Sequence, residues 1–459
     1  MAPHKNRRDV LAYASAAALI GSGVRAQPMP AVSSTVPTGM GAGPLPVGTP
    51  WGASLDLSFM TPGTLDPRIT FTRASVATYF DATGTLQTAA SGAPRWDYDP
   101  VAHTLRGLLI EEQRTNLILN STAVGGWAAT GSTFTGGLPG APDGTSSVLR
   151  MSETAATSGH YVTSLYTTAA STVYTVSLFA QAGTDRYLQL SIDDSVSTGA
   201  YATFDLQAGV VSGPLTQRGS AVLGAAIIQP VGNGFYRCSI ASSIATATSL
   251  RVAIILSNVP APAFAPSYLG SATNYVQFWG MQLEAGASPT SYIPTVGAAV
   301  TRAGDACVMT PAAWFSATQG TAATDYSLPY ASVAAGNPVL AELDDGTINN
   351  IISLRLSAPN QTNGVVIVAN TSQGAVANST GWSAGVPGKA ALAYNTTAAN
   401  LLISVNGSAA LTGAVTGWPP TISRFAIGTG RSTQLNGWLR RVRYWPRALS
   451  AAELQSVTT

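Results

Sequence analysis

At 459 residues the chain is too long for one hydrophobic core and should divide into two or three domains. Charged residues make up only 10% and the net charge is +2, which leaves little for long helices with charged faces and excludes a whole-chain field for gathering nucleic acid. With 46% hydrophobic residues and 46 glycines, the composition suits short strands joined by small-residue turns.

In chain order, Lys5, Arg7 and Arg8 form a basic head, Val10 to Val24 a mildly apolar stretch, and Val24-Arg25-Ala26 a small-x-small end. That order is expected of a secretory signal peptide over residues 1–26, cut after Ala26, with adjacent arginines resembling a twin-arginine export signal. Val10 stands where such signals carry an aromatic or Leu, and no Lys follows Leu11. Export to the periplasm or the exterior is the expectation, and no other run is long and apolar enough to span a membrane. Residues 27–50 read as a flexible leader of Pro, Gly, Ser, Thr and Val.

A small β-rich adaptor is expected over 51–116. Leu55, Leu57 and Phe59 alternate with polar positions, as do Ile69, Phe71 and Arg73, and Asp81 to Gly84 supplies a turn before Leu86. The stretch ends in the densest charge of the chain, Arg106 to Leu117. From 117 to 295 strand signals recur about every ten residues: 173–180, 187–192, 203–206 turning at Gln207-Ala208-Gly209 into Val210-Val211, 235–240, 250–256 and 275–283. This spacing argues for a sandwich or jelly roll. Residues 288–295, with two prolines, read as a connection. Strand signals resume over 300–459, at 351–356, 365–368, 390–394, 401–405 before an Asn406-Gly407 turn, and 438–445. Leu449 to Leu454 should form one helical turn, capped by Ser450 with Glu453 as its partner.

Cys238 alternates in phase with Tyr236 and Ile240, as a core thiol does. Cys238 and Cys307 fall in different expected domains, so neither a disulfide framework nor a metal spacing is implied. Arg440, Arg441, Arg443 and Arg447 form the strongest basic cluster, read as a solvated strand face.

Three groups of residues carry a family resemblance. Phe71-Thr72-Arg73-Ala74-Ser75 with Tyr79-Phe80-Asp81, then Leu109-Ile110-Glu111-Glu112-Gln113-Arg114-Thr115-Asn116-Leu117, resemble bacteriophage and prophage head-spike or tail-fibre proteins. In that family a carbohydrate-binding-module-like jelly roll follows. Its counterparts here are Gly232 to Arg237 and the closing strand Trp279 to Gly286, and the join that follows, Tyr292-Ile293-Pro294-Thr295 then Val300 to Asp305, is also similar to that family. The C-terminal third, through Leu402 to Gly407 and Leu435 to Trp445, resembles a concanavalin A-like, laminin-G-type sandwich. The resemblance implies an all-β fold of multi-domain antiparallel β-sandwiches and assembly as a homotrimer or with other particle proteins. A structural phage protein needs no export signal, so the apparent signal over 1–26 sets the two readings against each other.

Catalytic patterns are sparse. Concanavalin-like hydrolases carry Glu-x-Asp-x-x-Glu, and no such run occurs. Asp344-Asp345 before Gly346 reads as a turn, Glu111 and Glu112 as ion-paired at a domain edge, and neither His103 nor His160 accompanies a Gly-x-Ser-x-Gly elbow. Glycan recognition needs flat aromatic faces with amides or carboxylates nearby. Trp127, Tyr161, Tyr166 and Tyr187 with Asp185, Arg186 and Gln189 offer these in the jelly roll, and Trp382, Trp418 and Asn395 in the last domain. Trp279 and Trp438 read as core. Asp193-Asp194 is a possible structural calcium position, and no other cofactor is implied. The expected function is non-catalytic carbohydrate binding to a glycan or cell-surface polysaccharide. A structural spike or fibre component, associated with a virion, is the alternative, and a polysaccharide hydrolase or lyase the third.

Overall fold

The computed structural model describes residues 52–330, 337–357, 360–431 and 433–459. The expected export signal (Arg7, Arg8 and the cut after Ala26) and the expected 27–50 leader lie outside the described residues. The rest is almost entirely antiparallel β-structure, in two sandwiches.

The central sandwich pairs a six-stranded sheet with a seven-stranded one. The six-stranded sheet runs in the order Val222–Gly232, Phe235–Ser243, Val173–Ala182, Tyr275–Ala285, Val148–Glu153, Ser132–Leu138. Its partner is built around Gly199–Asp205, Tyr187–Asp193, Ser249–Ser257 and Tyr161–Thr167. Period-two alternation makes the core: Leu188, Leu190 and Ile192 from one sheet meet Val176, Leu178, Cys238 and Ile240 from the other. Asn233-Gly234 closes the tight hairpin at the edge with φ of 51° and 76°, as a turn with two left-handed residues requires. Gly280, at φ 63°, bulges the Tyr275–Ala285 strand where an added Cβ would lie 2.8 Å from the Phe179 ring.

The C-terminal sandwich does not consist of 300–459 alone. Leu55–Ser58 and Leu105–Ile110 both pair with Gly437–Trp445, Trp96–Tyr98 extends that sheet, and Ile69–Thr72 pairs with Ala306–Met309 in the facing sheet. Leu55, Leu57, Phe59, Leu108 and Ile110 share one buried cluster with Phe425, Leu439 and Tyr444. Most of the stretch expected as a separate adaptor is therefore woven into this sandwich. Its alternating apolar residues need a second layer, and four short strands cannot supply one. The hairpin Ala77–Phe80 with Leu86–Ala89 goes the other way, and Leu86 packs with Phe179, Phe235, Trp279 and Tyr292 on the central sandwich.

Cys238 and Cys307 are free buried thiols in separate cores. The arginines near the C-terminus are largely paired: Arg441 with Asp56, Arg443 with Asp325, and Arg447 with Glu453. The final helix, Ala451–Thr458, carries the Ser450–Glu453 capping box and runs a turn longer than the sequence signal. No helix among the described residues is long and apolar enough to cross a membrane.

Candidate functional site: sheet face and inter-sandwich cleft

The outward face of the seven-stranded sheet in the central sandwich is where alternation sends Tyr161, Tyr187 and Gln189. Register aligns Tyr161, Ile255, Gln189 and Thr203 in one row across four strands. The segment 258–266 lies over the middle of that row. Gln189 holds it from both ends of its amide, donating to the Ala263 carbonyl (3.3 Å) and accepting from the Ala265 amide (3.0 Å). Phe264 stacks on Tyr201 at 5.7 Å and lies under the Arg218 guanidinium at 4.0 Å. Gln189, Ser191, Thr203 and Ser257 are consequently buried although they point away from the core.

Of the residues selected for glycan contact, Tyr161 and Tyr187 stay half-exposed on this face, with Arg186 over the Tyr187 ring at 5.4 Å. Tyr166 and Trp382 are buried in the two cores, because their strand phase or loop position turns the ring inward. Trp127 and Trp418 are half-buried against those cores, Trp127 edge-on to Tyr166 at 6.2 Å and Trp418 tilted on Tyr394 at 6.3 Å. Asn395 caps a turn, accepting from the Thr397 and Ala398 amides. The possible calcium position is filled by protein donors. Asp193 pairs with Arg251 at 2.8 Å, and Asp194 accepts from the amides of Val196, Ser197 and Thr198. Among the described residues no group of three or more His, Cys, Asp and Glu side chains is arranged to hold a metal.

Asp185 belongs to a buried polar cluster at the end of the sandwich. The Tyr268 hydroxyl donates to Glu153 at 2.5 Å, as does the Ser271 amide at 2.8 Å. Both ring nitrogens of the buried His160 face carbonyls, Gly131 at 2.6 Å and Tyr268 at 3.2 Å. Burial, and next the Glu153 carboxylate, push Asp185 up to about 7.

A second candidate is a concavity between the sandwiches. It is a cavity of about 210 Å³ bounded by Tyr79, Arg106, Gln229, Arg237, Tyr330 and Trp438, with Tyr292 and Phe179 behind. The Trp438 indole donates to Asp97 at 2.9 Å, and Arg106 stacks over that indole at 4.7 Å. Asp97 also accepts from the Phe80 amide, and Asp99 from two turn amides and Arg106. Sequence reasoning missed this cleft because its walls come from residues far apart in the chain.

Beneath it sits an ionic cluster that joins Arg73, Arg95, Glu111, Arg302 and Asp305. Arg95, fully buried, donates to Glu111 (2.8 Å), Asp305 (2.6 Å), Ser291 Oγ (2.9 Å) and the Thr78 carbonyl (3.0 Å). Arg73 reaches the other Asp305 oxygen at 3.1 Å, and Arg302 donates to the Glu112 carbonyl at 2.7 Å. Burial alone would raise Glu111, but Arg302, Arg95 and the Ser291 donors bring it down to about 2. The expected ion pairing of Glu111 and Glu112 is present, Glu112 being held by Arg114.

No protein-family model and no curated protein matches the chain. Among solved structures it is similar to the CBM40 domain of the Ruminococcus gnavus IT-sialidase bound to α2,6-sialyllactose. Identity there is 14%, over 31% of this chain and 85% of that one, with a TM-score of 0.27. A heptameric SAP-like pentraxin from Limulus polyphemus matches at 13% identity over 31% of this chain and 70% of its own, at 0.24. The LG1-3 region of the laminin α2 chain matches at 8% identity over 63% of this chain and 66% of its own, also at 0.24.

Proposed function

We propose that this chain is a non-catalytic carbohydrate-binding protein whose binding site is the cleft between its sandwiches. The observation that carries the reading is the cleft itself. It is a concavity edged by half-exposed Tyr79, Gln229, Arg106 and Arg237, with aromatic rings at its back, whereas the central sheet face is covered by 258–266. Aromatic faces suit the C–H surfaces of a sugar, and amide and guanidinium groups suit its hydroxyls. Asp97, Asp99 and Glu111 are each tied up by two or more protein donors, which favours binding over acid–base catalysis. The basic head and small-x-small end of residues 1–26 support an exported protein. Tyr161 and Tyr187 remain a secondary contact surface on the sheet face.

A structural spike or fibre component is the second reading, favoured by the Arg95 cluster, which joins residues 73–78, 95, 111, 291 and 302–305. A glycan array probed with residues 27–459 tests the first. Binding that is lost with Tyr79→Ala and kept with Tyr187→Ala places recognition in the cleft, and the reverse pattern moves it to the sheet face. Silence from the whole array, together with a trimeric mass in light scattering, would favour the structural role.

A further inference from the structure

Three guanidinium groups border the cleft, and they are not equivalent. Arg106 is held by Asp97 and Asp99, and Arg114 by Glu112 and Glu284. Arg237 has no carboxylate within 4 Å among the described residues, and the remaining residues beyond Trp51 contain no Asp or Glu. It stands on Phe235–Ser243 between Phe179 and Gln229, with its guanidinium 5.3 Å from the Phe179 ring centre. Its one hydrogen bond among the described residues runs from Nη2 to Ser177 Oγ at 3.1 Å, and its Nε is buried without an acceptor. A half-desolvated guanidinium with no carboxylate beside it is costly when empty and is stabilised by an anion at its Nη edge.

Resting on the reading of the cleft as a glycan site, we propose that Arg237 recognises the carboxylate of an acidic saccharide such as a uronic acid. A planar carboxylate matches the two-donor edge of a guanidinium, while the ring stacks against the aromatic lining. At about 210 Å³ the cavity is small beside the ~300–1,000 Å³ of ordinary ligand pockets, so it suits one terminal ring rather than an extended chain. Gln229 is placed to bond ring hydroxyls, since among the described residues its Nε2 is engaged only by a 3.3 Å contact to the Pro329 carbonyl.

The test titrates the full chain, by ligand-observed NMR and calorimetry, with three sets of probes. These are methyl glycosides of glucuronate and galacturonate, their methyl esters, and the neutral glucose and galactose glycosides. The acids should bind roughly 10- to 100-fold more tightly than the esters, the span expected of a charge-assisted hydrogen-bond pair. Arg237→Gln should erase that difference with little change for the neutral sugars. Ser177→Ala, which removes the Ser177 Oγ acceptor and keeps the cation, should retain it and guards against misfolding of the Gln variant. Equal binding of acid and ester, or an acid preference that survives in Arg237→Gln, overturns the carboxylate assignment and leaves the glycan reading standing. If none of these sugars binds and a broad array is also silent, the glycan reading itself falls.

Discussion

Tyr187 and Gln189 alternate on the same side of one strand and meet opposite fates, because only Gln189 lies under the 258–266 segment. Strand phase was legible in the sequence, and what covers the phase was not. The segment did leave a signal: Val259, Ala261, Ala263 and Phe264 make it unusually apolar for a surface connection. Asp185, picked as a sugar partner, is instead buried beside Glu153 and His160. Its folded pKa is raised above the unfolded value near 4, to about 7. Its contribution to stability is therefore complete below pH ~4 and is lost as pH rises through about 7. Urea denaturation at pH 5 and pH 8 should differ by about 1–2 kcal/mol from this group, after allowance for solvent screening. Asp185→Asn should flatten that dependence, and an unchanged pH profile in the variant would refute the assignment.

Among elements, strands with strict alternation were readable to within two or three residues, as at Tyr187–Asp193 and Phe235–Ser243. Val222–Gly232 was not. Its run of Leu, Gly, Ala, Ala, Ile and Ile lacks a period because it is an edge strand, half-exposed along most of its length. Pro230 sits near its end, where a missing N–H is tolerated at an edge. The terminal helix was legible because its cap is chemical rather than periodic. Ser450 Oγ accepts from the Glu453 amide, and the Glu453 carboxylate returns to the Ser450 amide and to Arg447. Leu454 and Val457 dock that helix on Trp445 and Ala391. Ser450→Ala should cost about 1 kcal/mol, read as a lower denaturation midpoint with an unchanged m-value.

At the scale of the molecule, the sandwiches are joined by the stretch 51–116 and by the Arg95 cluster, both of which draw on both sides. A fragment of residues 300–459 lacks the strands Leu55–Ser58, Ile69–Thr72, Trp96–Tyr98 and Leu105–Ile110. It should be aggregated or without dispersed NMR amide signals, whereas 52–459 should melt in one transition. Arg95→Met leaves Asp305 and Glu111 buried without their shared partner. It should cost about 3–5 kcal/mol and split the melt into two steps if the cluster is what couples the sandwiches. A single transition at the wild-type midpoint would show that the shared sheets suffice.

The sequence by itself determined the all-β class, the phase of most core strands, the helix cap and the separation of the two cysteines. Each of these rests on local chemistry: alternation, turn residues, and side chains that bond within a few positions. Tertiary structure alone decided that 52–116 belongs largely to the C-terminal sandwich, that 258–266 covers the sheet face, and that Arg237 faces the cleft with no carboxylate within 4 Å among the described residues. Those outcomes depend on pairings across up to nearly four hundred residues, and no local pattern encodes which distant strand or charge completes an edge or leaves one empty.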